Sequence, residues 1–275
     1  MRGKYREIRT ECGSYLDVDI FPVLYDSRAG LKRGKRYKPT TDTMLRYNQR
    51  RRETRIERLV LENFEGSGVF FNPSFDSAHY PADEEECKRI TRNFLRRLRA
   101  WRKKNGLPEL KYIYKIERGK RSGRLHLHTI LNCADMPLGI LDKIWGKGYC
   151  YSSALSCDAD GCAGISRYFC KGKNKVNQDP EDEDLGEDIS NSWVPSKNLV
   201  QPAEKRRDGR ITKRQAIKLC ILGNDAKSEF EKLYDGYDFV YCKSLVNDVN
   251  GGYYITARLR KRPARKRGCN EHRRN

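Results

Sequence analysis

The spacing of apolar and polar residues predicts a chain of mixed helices and strands. Apolar residues recur at helical intervals in residues 41–63 and again in residues 83–104. The second segment opens with four acidic residues and closes with three basic ones, an order that suits the helix macrodipole. Asn105-Gly106 is a typical helix stop. One face of this helix is predicted to pack in the core through Ile90, Phe94, Leu98 and Trp101.

Shorter segments predict strands. Residues 69–71 are an apolar run ended by Asn72-Pro73, and residues 111–117 and 124–132 flank a turn, which is typical of a β-hairpin. Beyond the hairpin the pattern predicts a helix at 137–145, a strand at 148–151 and a helix at 161–175. An antiparallel hairpin among helices predicts the α+β class.

Composition divides the chain into three regions. Residues 1–42 form a basic N-terminal extension, and residues 43–202 hold the elements just described, with an acidic loop at 178–190. Residues 203–275 form a small basic C-terminal region. It has a capping box at Thr212 and Gln215, a hairpin around Asn250-Gly251, and a basic tail predicted to stay disordered until it meets a polyanion.

The net charge of +20 makes nucleic acid the expected partner, since such an excess attracts polyanions over a Debye length or more. No apolar run approaches the roughly 20 residues of a membrane span, and the N-terminus lacks the apolar segment of a signal peptide. We therefore expect no membrane association and a cytoplasmic location in the host cell.

The ten cysteines are scattered along the chain, and we expect reduced thiols. Four of them lie close together, but their spacing does not make the paired knuckles of a common zinc site. These are Cys150, Cys157, Cys162 and Cys170.

Two histidines lie one residue apart in the second hairpin strand. On a strand, His126 and His128 share one face, and Leu125 and Leu127 point the other way. If Glu117 pairs with His126 across the hairpin, a carboxylate joins the two imidazoles, and together they can hold a divalent metal ion. The alternative is that the histidines are structural or merely exposed, as most such pairs are.

The residues that follow the hairpin in the sequence include a candidate nucleophile. No cysteine–histidine–aspartate or Gly-x-Ser-x-Gly arrangement is recognisable. Tyr168 in Ile165-Ser166-Arg167-Tyr168 becomes a plausible nucleophile next to a metal-bound phosphate, with Lys171 one helical turn away on the same face. The alternative is that Tyr168 is a core aromatic residue. The predicted DNA contacts are Arg96, Arg97, Lys115 and Lys173.

These motifs, in this order, resemble the rolling-circle replication initiators (Rep proteins) of the HUH endonuclease superfamily from phages and plasmids. The resemblance covers roughly residues 45–202. It rests on His126-Leu127-His128 and on Tyr168-Phe169-Cys170-Lys171. It also rests on Leu61-Glu62-Asn63-Phe64, Phe94-Leu95-Arg96-Arg97-Leu98, Lys111-Tyr112, Trp145-Gly146-Lys147-Gly148-Tyr149 and Ser196-Lys197-Asn198-Leu199.

The resemblance implies a ferredoxin-like antiparallel sheet with flanking helices. It implies that Glu117, His126 and His128 bind Mg²⁺ or Mn²⁺, and that Tyr168 attacks single-stranded origin DNA. The products are a 5′-phosphotyrosine link and a free 3′-hydroxyl that primes rolling-circle replication. A host helicase and polymerase are the further expected partners, since no Walker motif is present.

One strand departs from the family pattern. Where the family usually reads Thr-Leu-Thr, this chain reads Phe70-Phe71-Asn72-Pro73-Ser74. Whether Asn72 or Ser74 takes the place of a threonine that touches DNA stays open.

Two other functions remain open. A relaxase or single-tyrosine transposase would use the same chemistry, although a relaxase commonly adds a third histidine, and His79 and His272 stand alone. A basic nucleic-acid-binding protein without catalysis is the more distant alternative.

Overall fold

The fold is that of a computed structural model, which describes residues 4–23, 42–119, 123–137, 139–157, 161–170, 187–188, 193–248 and 250–263. The chain divides into two compact units. The terminal unit comprises Met1–Ser27 and Ala203–Asn275, and the central unit comprises Arg28–Pro202.

Helices and strands follow one another in both units. In chain order they are β1 (Tyr5–Cys12), β2 (Tyr15–Pro22), α1 (Asp42–Phe64), β3 (Val69–Pro73), α2 (Glu84–Lys104), β4 (Tyr112–Arg118), β5 (Leu125–Leu131), α3 (Ile140–Trp145), β6 (Cys150–Ala154), α4 (Ala163–Cys170), β7 (Glu187–Asp188), β8 (Val194–Pro195), β9 (Ala203–Asp208), α5 (Lys213–Leu222), α6 (Lys227–Leu233), β10 (Tyr237–Asn247) and β11 (Gly252–Lys261). The predicted α+β class is confirmed.

The terminal unit is an antiparallel sheet in the order β10-β11-β2-β1-β9, with α5 and α6 packed against it. The predicted capping box is present, because Thr212 accepts a hydrogen bond from the Gln215 amide and Gln215 reaches back to the Thr212 amide. The predicted C-terminal hairpin is β10–β11. The basic tail lies outside the described residues.

The strands β1 and β2 were not predicted. Residues 1–42 read as a basic extension, whereas residues 5–22 form a hairpin that pairs with β9 and β11 from the C-terminal region. The polar Glu7, Thr10 and Asp17 are buried. They interrupt the alternation of apolar and polar residues on which strand prediction depends.

The central unit contains an antiparallel sheet in the order β6-β3-β5-β4-β7, with β8 also paired to β4. One face of the sheet packs against α2 and α3. This core includes Phe71, Phe94, Leu98, Leu127 and Trp145.

The helix α2 forms as predicted. Asp83 caps its N-terminus by accepting a hydrogen bond from the Glu86 amide, and Asn105 ends it. Ile90, Phe94 and Leu98 are buried.

One position on the predicted apolar face of α2 differs. Trp101 is only half-buried, whereas the neighbouring Arg102 is buried. Arg102 makes two hydrogen bonds to Asp135, of 2.7 and 3.0 Å, so its charge is compensated.

Two residues from the sequence motifs fasten the sheet to its surroundings. The Asn63 side chain donates to the carbonyl of Val200 and accepts from its amide. Ser196 donates its amide to the carbonyl of Tyr112, and its hydroxyl accepts from the Tyr112 amide. These residues therefore have a structural role, joining α1 and β4 to the segment after β8.

The expectation of reduced thiols is wrong for one pair. Cys157 and Cys162 form a disulfide just before α4, with their Cα atoms 4.6 Å apart. The two cysteines are five residues apart in the sequence, and this spacing alone did not predict a disulfide. Within the described part of the chain, the other seven cysteines are mostly buried.

None of the helices within the described ranges is both long and apolar enough to cross a bilayer.

Candidate active site

The hairpin β4–β5 places three predicted site residues on one face of the central sheet. Glu117 lies directly opposite His126, which is the predicted register, and Lys115 lies opposite His128. Paired residues of antiparallel strands project to the same face. Leu125 and Leu127 point to the other face and are buried against α2.

The helix α4 brings Tyr168 to the same face as the histidines. The Phe70 ring, on β3, meets the rings of Tyr168 and Phe169 edge-on, at centroid distances of 5.9 and 6.2 Å. Gln49 of α1 donates to the carbonyl of Cys170 at 2.7 Å and so fixes the C-terminal end of α4. The predicted helix continued to residue 175, but residues beyond 170 lie outside the described part.

Tyr168 contacts His128 directly. Its hydroxyl lies 2.8 Å from Nδ1 and 2.9 Å from Nε2 of the imidazole, and the two rings are nearly perpendicular. Burial and the neighbouring Glu117 carboxylate raise the pKa of the Tyr168 phenol above its ordinary value. The phenol is therefore protonated at neutral pH, and a nitrogen of His128 is placed to accept its proton.

The Glu117 carboxylate joins this pair to a buried lysine. Its Oε2 lies 3.5 Å from His128 Nε2, and its Oε1 lies 2.6 Å from Lys115 Nζ. Burial alone would raise the pKa of Glu117. The hydrogen bond with His128 and the charge of Lys115 outweigh burial and hold that pKa below its ordinary value. Glu117 is therefore an anion inside a largely buried site.

His126 completes the row of histidines. Its ring centroid lies 6.4 Å from that of His128, and the ring is half-buried. Burial, followed by the proximity of His128, lowers the pKa of His126. This favours the neutral imidazole, which is the form that binds metals.

The donor types of Glu117, His126 and His128 fit a divalent cation, since two imidazoles and one carboxylate are a common ligand set. Within the described ranges, however, no three His, Cys, Asp or Glu side chains converge as a metal site. Both ring nitrogens of His128 face the Tyr168 hydroxyl, and Lys115 occupies one oxygen of Glu117. Metal binding therefore requires His128 to turn away from Tyr168.

Asn72 supports His128 from the neighbouring strand. Its Oδ1 lies 3.0 Å from His128 Nδ1. The sequence left open whether Asn72 or Ser74 takes the place of a threonine that touches DNA. In the structure the Asn72 side chain is engaged with His128, and the Ser74 hydroxyl donates to the carbonyl of Tyr149.

The four basic residues predicted to contact DNA are placed differently from one another. Arg96 and Arg97 are exposed on α2, on the sheet face opposite to Tyr168. They line a cleft of about 390 Å³ together with Arg89 and Lys147. Lys115 is buried and ion-paired to Glu117, so its ammonium is not offered to solvent. Lys173 lies outside the described residues, as does Lys171, which was predicted to assist Tyr168.

The role of Lys115 beside Glu117 was missed. Residues 115 and 117 alternate onto one face of a strand, so the sequence did contain the signal. A lysine is almost never fully buried unless it is paired, and this argued for an exposed side chain.

Comparison with known families bears on this segment. Residues 75–173 match one family model, which describes the replication-associated protein ORF2. The match spans a little over a third of the 275 residues and contains Glu117, His126, His128 and Tyr168. The match supports the interpretation that this segment is related to a replication initiator family. Searches of curated proteins and of solved structures found no match.

Proposed function

We propose that this protein initiates DNA replication as a tyrosine endonuclease that cleaves single-stranded origin DNA. The observation that carries the proposal is the contact of the Tyr168 hydroxyl with His128, on a face that also holds Glu117 and His126. The match to a replication-associated family over these residues supports the biological role.

The Tyr168 oxygen attacks the scissile phosphorus, and the bond from phosphorus to the 3′-oxygen breaks. The phenolic proton leaves to solvent water, because a His128 that holds a metal ion has no free lone pair to accept it. The leaving 3′-oxygen takes up a proton and becomes the primer end. The phosphodiester energy is kept in the 5′-phosphotyrosine link, so no nucleotide cofactor is required.

Glu117, His126 and His128 are the residues that would hold Mg²⁺ or Mn²⁺. The bound cation would neutralise charge that develops on the phosphate. Lys115 positions Glu117 and keeps it ionised. Lys171 and Lys173 remain predicted phosphate contacts.

DNA binding outside the scissile site is assigned to basic surfaces. Arg96 and Arg97 lie behind the sheet, on the far side of α2 from Tyr168. In this proposal they contact phosphates of a segment other than the cleaved one, with affinity that falls steeply as salt rises. Host helicase and polymerase stay proposed partners.

The test uses the full chain, Mn²⁺ and single-stranded oligonucleotides from its own replicon. DNA labelled at its 3′ end should migrate with the protein on a denaturing gel. DNA labelled at its 5′ end should give a shorter product that a polymerase extends. Both signals should vanish with EDTA and with Tyr168→Phe.

Tyr114→Phe is the matched control, because Tyr114 is a half-buried tyrosine on the opposite face of the same sheet. It should form the adduct at the wild-type rate. An adduct that survives Tyr168→Phe would place the nucleophile elsewhere. Salt-sensitive binding without an adduct on any origin sequence would favour a non-catalytic DNA-binding protein.

A further inference from the structure

The edge strand β6 presents two exposed aromatic side chains. Tyr149, which directly precedes the strand, is 87% exposed, and Tyr151 is 63% exposed. Tyr149 is the most exposed large hydrophobic residue in the described part of the chain. Two neighbouring rings left in water differ from the scattered single apolar residues of an ordinary surface.

Strand register connects Tyr151 to the candidate active site. Tyr151 pairs with Asn72 on β3, and Asn72 Oδ1 lies 3.0 Å from His128 Nδ1. Paired residues share a face, so Tyr151, Asn72 and His128 form one row across three strands. Two strand spacings separate Tyr151 from His128, which is about 10 Å. Tyr149 lies two residues before Tyr151, just outside the strand.

The backbone beneath these rings is held firmly. Gly148 has φ of 141°, and a Cβ there would come within 2.6 Å of the Asp76 nitrogen and the Ser74 oxygen. Only glycine permits this approach. The carbonyl of Tyr149 then accepts hydrogen bonds from the amide and the hydroxyl of Ser74, both at 2.7 Å. The rings are thus exposed on a fixed segment, which is the arrangement that a stacking surface requires.

We propose that Tyr151, assisted by Tyr149, stacks on bases of the single-stranded DNA next to the phosphate that Tyr168 attacks. This inference rests on the proposed function. Aromatic stacking is tolerant of sequence because every base has a π-face, and it suits a strand held open beside a nuclease site. The row ends at His128, which contacts Tyr168, so DNA whose bases stack on Tyr151 would lie close to the nucleophile.

The alternative occupant is a second copy of this chain, paired through the free edge of β6. This strand has only five residues, and each copy carries a net charge of +20. Both features oppose self-association and favour a polyanion.

The test measures binding of fluorescent oligothymidylate by anisotropy, at fixed salt and with EDTA, in the Tyr168→Phe protein. Tyr151→Ala should weaken binding by about 5- to 150-fold, the range for loss of one stacked base. Tyr151→Phe and Tyr151→Trp retain a ring and should stay within about threefold of the parent. Tyr47→Ala is the control, because Tyr47 is 53% exposed on the helix α1 and is not part of the sheet, and it should have no effect.

An abasic oligonucleotide separates stacking from phosphate contact. It should bind the parent protein more weakly than oligothymidylate, whereas Tyr151→Ala should bind the two alike. Wild-type affinity in Tyr151→Ala, or equal losses in Ala and Phe, would overturn the proposal. So would a dimer in sedimentation that Tyr151→Ala dissociates.

Failure of the proposed nuclease is distinguishable from failure of the stacking surface. If no adduct forms in wild type but Tyr151→Ala loses affinity, the stacking surface stands without the chemistry. If the adduct forms and Tyr151→Ala binds normally, the chemistry stands without the stacking surface. Unfolding midpoints of all variants should match the parent, because both tyrosines are exposed.

Discussion

The two units of this protein bury charged side chains in different ways. In the terminal unit, Asp17 and Arg258 face each other on neighbouring strands and form two hydrogen bonds of 2.7 and 3.0 Å. In the central unit, Lys115 and Glu117 lie on one strand, and Glu117 also reaches towards His128, which contacts Tyr168.

The comparison shows that a buried ion pair does not by itself mark a functional site. Both pairs are almost inaccessible to solvent. The charges of Asp17 and Arg258 compensate each other across one pair of strands. The pair in the central unit is extended by groups that can accept a proton and attack phosphorus. What distinguishes the two ion pairs is therefore which reactive side chains contact them.

Among the four variants that follow, the largest effect is expected from His126→Ala. Loss of one imidazole should slow adduct formation at least about 100-fold, because a metal contributes several kcal/mol to phosphoryl chemistry. Oligonucleotide affinity in EDTA should be unchanged. His79→Ala is the control, since His79 is exposed and contacts Asp76. Gel quantification of the adduct over time measures both, and a wild-type rate in His126→Ala would remove this residue from the site.

Asp17→Ala should affect stability alone. It leaves the Arg258 guanidinium buried without its carboxylate, a change that costs about 3–5 kcal/mol. Denaturant unfolding followed by circular dichroism gives this value. The exposed pair of Arg6 and Asp208 on the same sheet is the comparison, and Arg6→Ala should shift the midpoint far less. At low temperature, folded Asp17→Ala should still form the adduct, and loss of catalysis there would undo the contrast between the units.

Lys115→Met should affect stability and catalysis together. Methionine keeps most of the volume but leaves Glu117 buried without its ammonium partner. We expect a lower unfolding midpoint and a loss of adduct rate of about 10- to 100-fold, as for other residues that orient a metal ligand. Both are measured on one preparation. A stability loss with full activity would make Lys115 purely structural, like Asp17.

The smallest effect is expected from Arg96→Ala. Because Arg96 lies across the sheet from Tyr168, its loss should weaken DNA binding alike for all sequences and lower the salt slope by about 1. The adduct rate at saturating DNA should not change. Binding titrations at four salt concentrations measure the slope, and a slower adduct rate at saturation would bring Arg96 to the cleaved strand.

Local patterns in the central unit made much of the site predictable. The helical spacing of Ile90, Phe94 and Leu98 defined α2, and two-residue alternation put His126 and His128 on one face. The register that places Glu117 opposite His126 was an assumption, and the strand pairing confirms it. Each of these features depends on residues close together in the sequence, where spacing determines geometry.

The remainder depended on distant contacts. The pairing of β1 with β9 joins residues almost two hundred positions apart. Because the polar Glu7 is buried, β1 lacks the alternation of apolar and polar residues that would have predicted a strand. The burial of Lys115 and the exposure of Tyr151 follow from how whole elements pack. Two-residue alternation places Lys115 beside Glu117, but no local pattern shows that Lys115 is buried or that Tyr151 is exposed.

The most direct test of the central claim is to locate the bound nucleotide within the protein. The adduct is trimmed with nuclease and digested with trypsin. Cleavage after Lys147, Arg167 and Lys171 separates Tyr168, in the peptide of residues 168–171, from Tyr149 and Tyr151, in residues 148–167. The account predicts that mass spectrometry finds the nucleotide on the 168–171 peptide. A nucleotide on residues 148–167, or on any other peptide, would contradict the assignment of Tyr168 as the nucleophile.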